Sequence, residues 1–238
     1  MWVQHREKGN AHMLARTQVL TFHGIGEPAV PISADAQRYF VSKDVYRRTI
    51  AALTDLEQSH DVRMEVTFDD GNLSDFTVGL PALVEAGRSG RFFVLAGRIG
   101  ETGYLTVGQI REIQAAGSRI GCHGHDHVDW RKLDKAGFQK ELFDARRKIE
   151  DALGAPVTEA AIPFGAFNRQ VLGKLKEAGY RRIYTSNHGL AHDAAWFCPR
   201  WSVVDTFDPD RDIAPRLSLK QKFISSAYAV ARRMRYRF

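Results

Sequence analysis

The chain has 238 residues, 44% of them hydrophobic and 26% charged, enough to bury one sizeable core and too apolar for intrinsic disorder. The net charge of +6 and pI near 9.4 are moderately basic, but no zinc-finger spacing, RNA-binding aromatic motif or long Lys/Arg run accompanies them, so no nucleic-acid partner is expected. Cys122 and Cys198 are too few for a disulfide framework, and no apolar run reaches the roughly 18 residues of a membrane span.

Residues 1–16 are polar and lack the apolar stretch of a secretory signal, so they read as a flexible segment, with Met13 an alternative start and the cytoplasm the expected location. Strands then alternate with helices, which predicts a parallel sheet or barrel of the α/β class. Val19-Leu20-Thr21-Phe22-His23 is a short apolar strand running into a glycine-containing turn. A helix over 44–58, capped by Ser42 or Asp44, turns Val45, Ile50, Leu53 and Leu56 inward. The strand 63–68 follows, then a helix over 78–86 and the strand 91–95. Thr106 caps a further helix that stops at Gly117 and hands over to Ile120-Gly121-Cys122.

A long helix over 135–153 ends at Gly154 and leads into a strand through 160–165. One more pair completes the pattern, a helix over 168–178 and a strand over 182–185. No repeat or low-complexity linker divides the chain, so residues 17–215 read as a single domain. Residues 216–238 read as a basic C-terminal helix that packs on the domain or makes weak peripheral contact with a membrane.

The chemistry gathers at two predicted strand ends. Thr67-Phe68-Asp69-Asp70-Gly71 delivers two adjacent carboxylates, and His123-Gly124-His125-Asp126-His127 delivers two imidazoles four residues apart. In a parallel barrel those ends form the mouth where sites are built. Gly121 and Gly124 disfavour a helix, so a tight loop presents both rings, with Asp126 a candidate to orient one of them. Two histidines and a carboxylate leave positions open on a metal, which is the pattern of a catalytic site. The second carboxylate is then free to take a proton from water.

The acid pair and its flanks resemble the first motif of the polysaccharide deacetylase family, the nodulation-type carbohydrate deacetylases. Ile120-Gly121-Cys122-His123 through His127 is similar to the second, and Leu153-Gly154-Ala155-Pro156 with Ile162-Pro163-Phe164-Gly165-Ala166-Phe167-Asn168 to the third. The resemblance implies a distorted (β/α) barrel. It also implies a divalent metal, usually zinc, with cobalt, nickel or manganese as alternatives, held by Asp70, His123 and His127. Asp69 would be the general base, and an N-acetylated sugar, oligosaccharide or polysaccharide the substrate. Pro163, Phe164, Gly165 and Trp201 are the implied substrate contacts.

Three positions depart from that pattern. The arginine that often opens the third motif is replaced by Ala161, and Arg200 is the candidate to pair with the base instead. The late Leu-x-His is matched in letters by Leu190-Ala191-His192, making His192 the candidate general acid beside His188. Gly124 stands where Ser or Thr usually follows the first histidine. His23 is a candidate for the mouth or the wall, and Trp130 and Trp196 for sugar stacking or packing. A non-sugar amidase and an idle sugar-binding barrel are the competing readings.

Overall fold

The computed structural model describes residues 16–192 and 195–236, and its strands assemble into one sheet rolled into a nearly closed barrel. The strands are β1 (Arg16–Phe22), β2 (Arg63–Phe68), β3 (Arg91–Val94), β4 (Arg119–Cys122), β5 (Glu159–Ala161), β6 (Arg182–Thr185), β7 (Ala191–His192), β8 (Phe197–Pro199) and β9 (Trp201–Ser202). β1 to β6 lie side by side in chain order and parallel. Parallel neighbours need long crossovers, and here those crossovers carry the helices over the outside. β8 continues the sheet beyond β6, and β9, one residue later, pairs with β1. The stretch 197–202 therefore joins the two edges of the sheet, with Arg200 at the seam.

Alternation along each strand sorts residues to two sides. Leu20, Phe22, Val66, Phe68 and Phe92 belong to the outer core beneath the helices, while Val19, Phe93, Ala161, Tyr184 and Cys198 fill the barrel interior. Gly121 leaves the room that Phe93 takes, since a Cβ there would lie 2.4 Å from the ring. At the base of the barrel Arg91 bridges Glu65 and Glu159, at 2.8 Å to each, so these buried charges are paired.

The helix Lys43–His60 begins at Ser42, whose side chain accepts from the Val45 N–H, and it buries Tyr46, Thr49, Ile50 and Leu53. Thr106 and Gln109 form a reciprocal capping box, and Gly154 ends the long helical stretch in the left-handed conformation. Two expectations change. The expected helix over 78–86 starts earlier, as a π-helical turn Asp75–Gly79 followed by α-helix Leu80–Glu85. The expected strand through 160–165 stops at Ala161, and Pro163–Gly165 forms a 3₁₀ turn, because Pro163 cannot donate to a ladder and Phe164 turns left-handed at φ 58°.

Residues 1–15 of the expected N-terminal segment, Met13 included, lie outside the described residues, and Arg16 already belongs to β1. The C-terminal helix is Leu219–Tyr236. It buries Ser225 and lays Arg232 over the Phe197 ring at 4.5 Å, leaving Leu219, Phe223, Val230 and Met234 exposed. Among the described residues no helix is long and apolar enough to cross a membrane.

Candidate active site

Register brings the chemistry to one end of the barrel. Phe22 pairs with Phe68 and Val94 with Cys122, so the residues that follow, His23, Asp69 and His123, emerge together at the strand C-terminal ends. The Asp69 N–H donates to Phe22 O at 2.9 Å and the His123 N–H to Val94 O at 2.9 Å, which locks both exits. Asp69 continues the inward alternation of β2, after Thr67. Asp70 turns away in the left-handed region at φ 72°. His127 at φ 57° and Phe164 at φ 58° share that conformation, so three of the four non-glycine residues with positive φ among the described residues surround this site. Such backbone costs about 1–3 kcal/mol each and clusters where a site requires it.

Asp70, His123 and His127 each offer a ligand atom, all within 4.8 Å of one another. Asp70 Oδ1 lies 3.5 Å from the Nε2 of each histidine, and it is buried with no hydrogen-bond partner. Ligands about 2.0–2.1 Å from a tetrahedral zinc stand roughly 3.4 Å apart, so this donor set and its spacing fit a divalent cation. The His123 Nδ1 faces Ala161 O at 2.9 Å; donation to that carbonyl turns the Nε2 lone pair toward Asp70. Burial depresses both imidazoles, His123 down to about 3, and so favours the neutral, ligating form. Burial, reinforced by the charge of Asp69 and opposed by His23, pushes the Asp70 carboxyl up to about 6.

Asp69 sits beside this triad, 3.7 Å from His123 Nε2 and 3.8 Å from His23 Nε2. Its two oxygens accept from the two terminal nitrogens of Arg200, at 2.7 Å each. Arg200 also donates to Thr67 Oγ1 at 3.1 Å and lies over the rings of Phe93 and Tyr184. Burial alone would raise the Asp69 carboxyl. The Arg200 guanidinium outweighs that and holds it well below the usual carboxylate range. Asp69 is therefore ionised at neutral pH, yet aimed and shielded.

A cavity of about 470 Å³ opens over these groups, walled by His23, Tyr39, Phe40, Phe164, Ser186 and Ser202. Phe164 is exposed, its ring centroid 4.5 Å from that of His127 and tilted by 51° against it. Pro163 and Gly165 hold the turn from behind: Pro163 is buried, and a Cβ on Gly165 would lie 2.5 Å from Ser186 N.

Several expected contacts fall elsewhere. His192 pairs with Arg16 at the start of β1, about 20 Å of strand away from the mouth, because β7 runs antiparallel along the barrel base. Trp201 is buried, with its ring under Arg216 and edge-on to Phe207, so it belongs to the core. Asp126 pairs with His125 and Lys140 at the surface instead of orienting a ligand ring. Trp130 and Trp196 are packing residues, their indole N–H groups donating to Glu141 and to Tyr180 O. His23, which sequence left between mouth and wall, lines the cavity. Its position one residue past a strand that faces Asp69 was the available signal.

The sequence pattern of the polysaccharide deacetylase family matches residues 57–183. A chitooligosaccharide deacetylase of Rhizobium leguminosarum bv. trifolii is 28% identical over 129 residues, covering 54% of this chain and 58% of that protein. The peptidoglycan-N-acetylglucosamine deacetylase PgdA of Listeria monocytogenes is 29% identical over 110 residues, 46% of this chain and 23% of that one. The chain thus spans about half or less of the length of the curated relatives it matches. Among solved structures, a Streptococcus pyogenes deacetylase, PplD, in complex with acetate superposes with TM-score 0.70 at 19% identity, covering 82% of this chain and 96% of the other. A polysaccharide deacetylase from Bacillus cereus gives 0.72 at 20%, covering 85% and 69%. Both likenesses are of fold. With its three motifs in order on a barrel of that shape, the chain belongs to the polysaccharide deacetylase family.

Proposed function

We propose that the protein is a divalent-metal hydrolase that removes the N-acetyl group from an acetylated sugar, oligosaccharide or polysaccharide. The observation that carries this reading is the convergence of Asp70, His123 and His127 within 4.8 Å, beside a buried Asp69 held by Arg200. A bound divalent cation, most simply zinc, supplies Lewis acidity to an amide carbonyl and acidity to a water. Asp70, His123 and His127 would hold it.

Asp69 takes the proton of the attacking water, kept charged and oriented by the two-point grip of Arg200. The departing amine needs a proton in return. His23 lines the cavity 3.8 Å from Asp69, within reach of one bridging water, and through it returns to the amine the proton that Asp69 accepted. Phe164 and Tyr39 offer flat apolar walls for a sugar ring, which favours carbohydrate over a small linear amide. The intact acid pair and its arginine argue against an idle binding barrel.

The deciding experiment is acetate release from a panel of N-acetylated oligosaccharides and polysaccharides, with non-sugar N-acetyl amides as the contrasting arm and zinc or cobalt added. Release from sugars that fails in Asp69→Asn is the expected result. Release only from the non-sugar amides would move the protein to the amidase reading. For the C-terminal helix, the exposed Leu219, Phe223, Val230 and Met234 support peripheral contact with an anionic bilayer. Equal sedimentation with anionic vesicles with and without Phe223→Glu would remove that partner.

A further inference from the structure

We infer that Glu141 is the positioning residue of the metal site, holding the loop that carries His127. The inference rests on the metal-site reading above and concerns a residue that touches neither ligand ring.

The two histidine ligands are secured differently. His123 is fixed at its ring, by Ala161 O. The His127 ring has no hydrogen bond to a protein group among the described residues, so its placement depends on a backbone held at φ 57°. That backbone is a loop beginning at Gly124, itself at φ 88°. A loop bent through two left-handed residues within four positions does not keep that shape without external anchors.

Glu141 supplies the anchor. Its side chain is buried at 1% exposure, and its Oε2 accepts from the His125 N–H at 2.8 Å while Oε1 accepts from the Asp126 N–H at 3.1 Å. The Trp130 indole donates to Oε2 at 3.4 Å. On the other side of the loop, the Ala96 and Gly97 N–H groups donate to the carbonyls of Gly124 and His125, at 2.8 and 3.1 Å. The peptides between the two ligands are therefore clamped from both faces. A buried carboxylate is costly unless its oxygens are satisfied, and these donors satisfy both.

The same carboxylate explains the residue after His123. A Cβ on Gly124 would lie 2.4 Å from Glu141 Oε2 and 3.2 Å from Trp130. A side chain at position 124 would push the Glu141 carboxylate off the His125 and Asp126 amides, and would itself sit on a left-handed backbone. Glu141 sits on the inward face of the helical stretch beginning at Lys135, between buried Phe138, Leu142 and Ala145, within the π-helical turn Gln139–Asp144. Only the loop amides and Trp130 give a charge a reason to be there.

The test is Glu141→Gln, nearly isosteric, in which one of the two acceptor oxygens becomes an N–H₂ facing a backbone N–H. Zn²⁺ affinity is measured against a competing chelator, with the visible absorption of the Co²⁺-loaded protein as the ligand-field readout and circular dichroism to verify folding. We expect Zn²⁺ binding 10- to 100-fold weaker and an altered cobalt spectrum. Zn²⁺ affinity and cobalt spectrum unchanged in the folded variant would overturn the inference. His123→Ala runs in parallel: metal retained there overturns the metal site itself, whereas metal lost there but not in Glu141→Gln overturns only the anchor. Amide exchange on the metal-free wild type needs no variant. Protection at His125 and Asp126 is expected, and exchange at the rate of an open loop counts against the clamp whatever the fate of the variant.

Discussion

Arg200 grips both oxygens of Asp69 at 2.7 Å across 131 residues of sequence. The guanidinium reaches the acid pair from the seam where β8 ends and β9 begins, while the position that often carries this arginine in the family is Ala161. Ala161 instead offers its carbonyl to His123. The charge is kept and its origin in the chain has moved.

Removing that grip leaves a buried carboxylate unpaired. Arg200→Met is expected to cost about 3–5 kcal/mol of stability, read as a lowered thermal midpoint. Asp69 would then titrate nearer the usual carboxylate range or above, so the acid limb of the pH–rate profile moves to higher pH. Arg200→Lys restores the charge without the fork and is expected to recover only part of the activity. A profile unmoved in both variants would remove Arg200 from the role.

The two acids respond to pH in opposite senses. Asp69 is depressed on folding, so its stabilising contribution is present above the ordinary carboxylate pKa and is lost as pH falls below it. Asp70 is raised from 3.8 to about 6 in the metal-free protein, so its contribution is present below the unfolded value and is lost as pH rises through about 6. A cation must displace the Asp70 proton. Metal affinity is therefore expected to fall about tenfold per pH unit below pH 6, measured by competition titration. A flat affinity from pH 7 to 5 would contradict this.

Asp69→Asn is expected to keep its metal and lose activity by a factor of about 10²–10⁴. His127→Ala and Asp70→Asn are expected to lose metal along with activity. Metal content by elemental analysis beside acetate release separates the roles, and full activity in Asp69→Asn would exclude it as the base.

His23 and His192 make opposite forecasts. His23→Asn is expected to lower kcat by about 10²-fold or more with metal retained. His192→Asn, at the barrel base, should leave kcat within a small factor of wild type. The reverse pattern would restore the late histidine as the acid.

Phe164 pays about 1–3 kcal/mol of backbone strain to stand in the cavity wall at φ 58°. Phe164→Gly relieves that strain and is expected to raise the thermal midpoint while raising KM. A lower midpoint with KM unchanged would make Phe164 a packing residue.

The sequence by itself determined what depends on near neighbours in the chain. The strand ends that carry Asp69, Asp70 and His123 follow from apolar runs of four to six residues. Ser42, Thr106 and Asn168 cap their helices because each side chain reaches a backbone N–H three residues on. The spacing from His123 to His127 is likewise local, and the family motifs are built from such segments. The tertiary structure decided which distant groups meet. Strand register sends His192 to the base of the barrel and Arg200 to the mouth, although eight residues separate them in the chain. Burial in a shared interior turns Trp201 into core. Clashes and satisfied donors, invisible at the level of residue order, pair Gly124 with Glu141. These outcomes depend on sheet closure, where a shift of one residue reverses the side a chain faces.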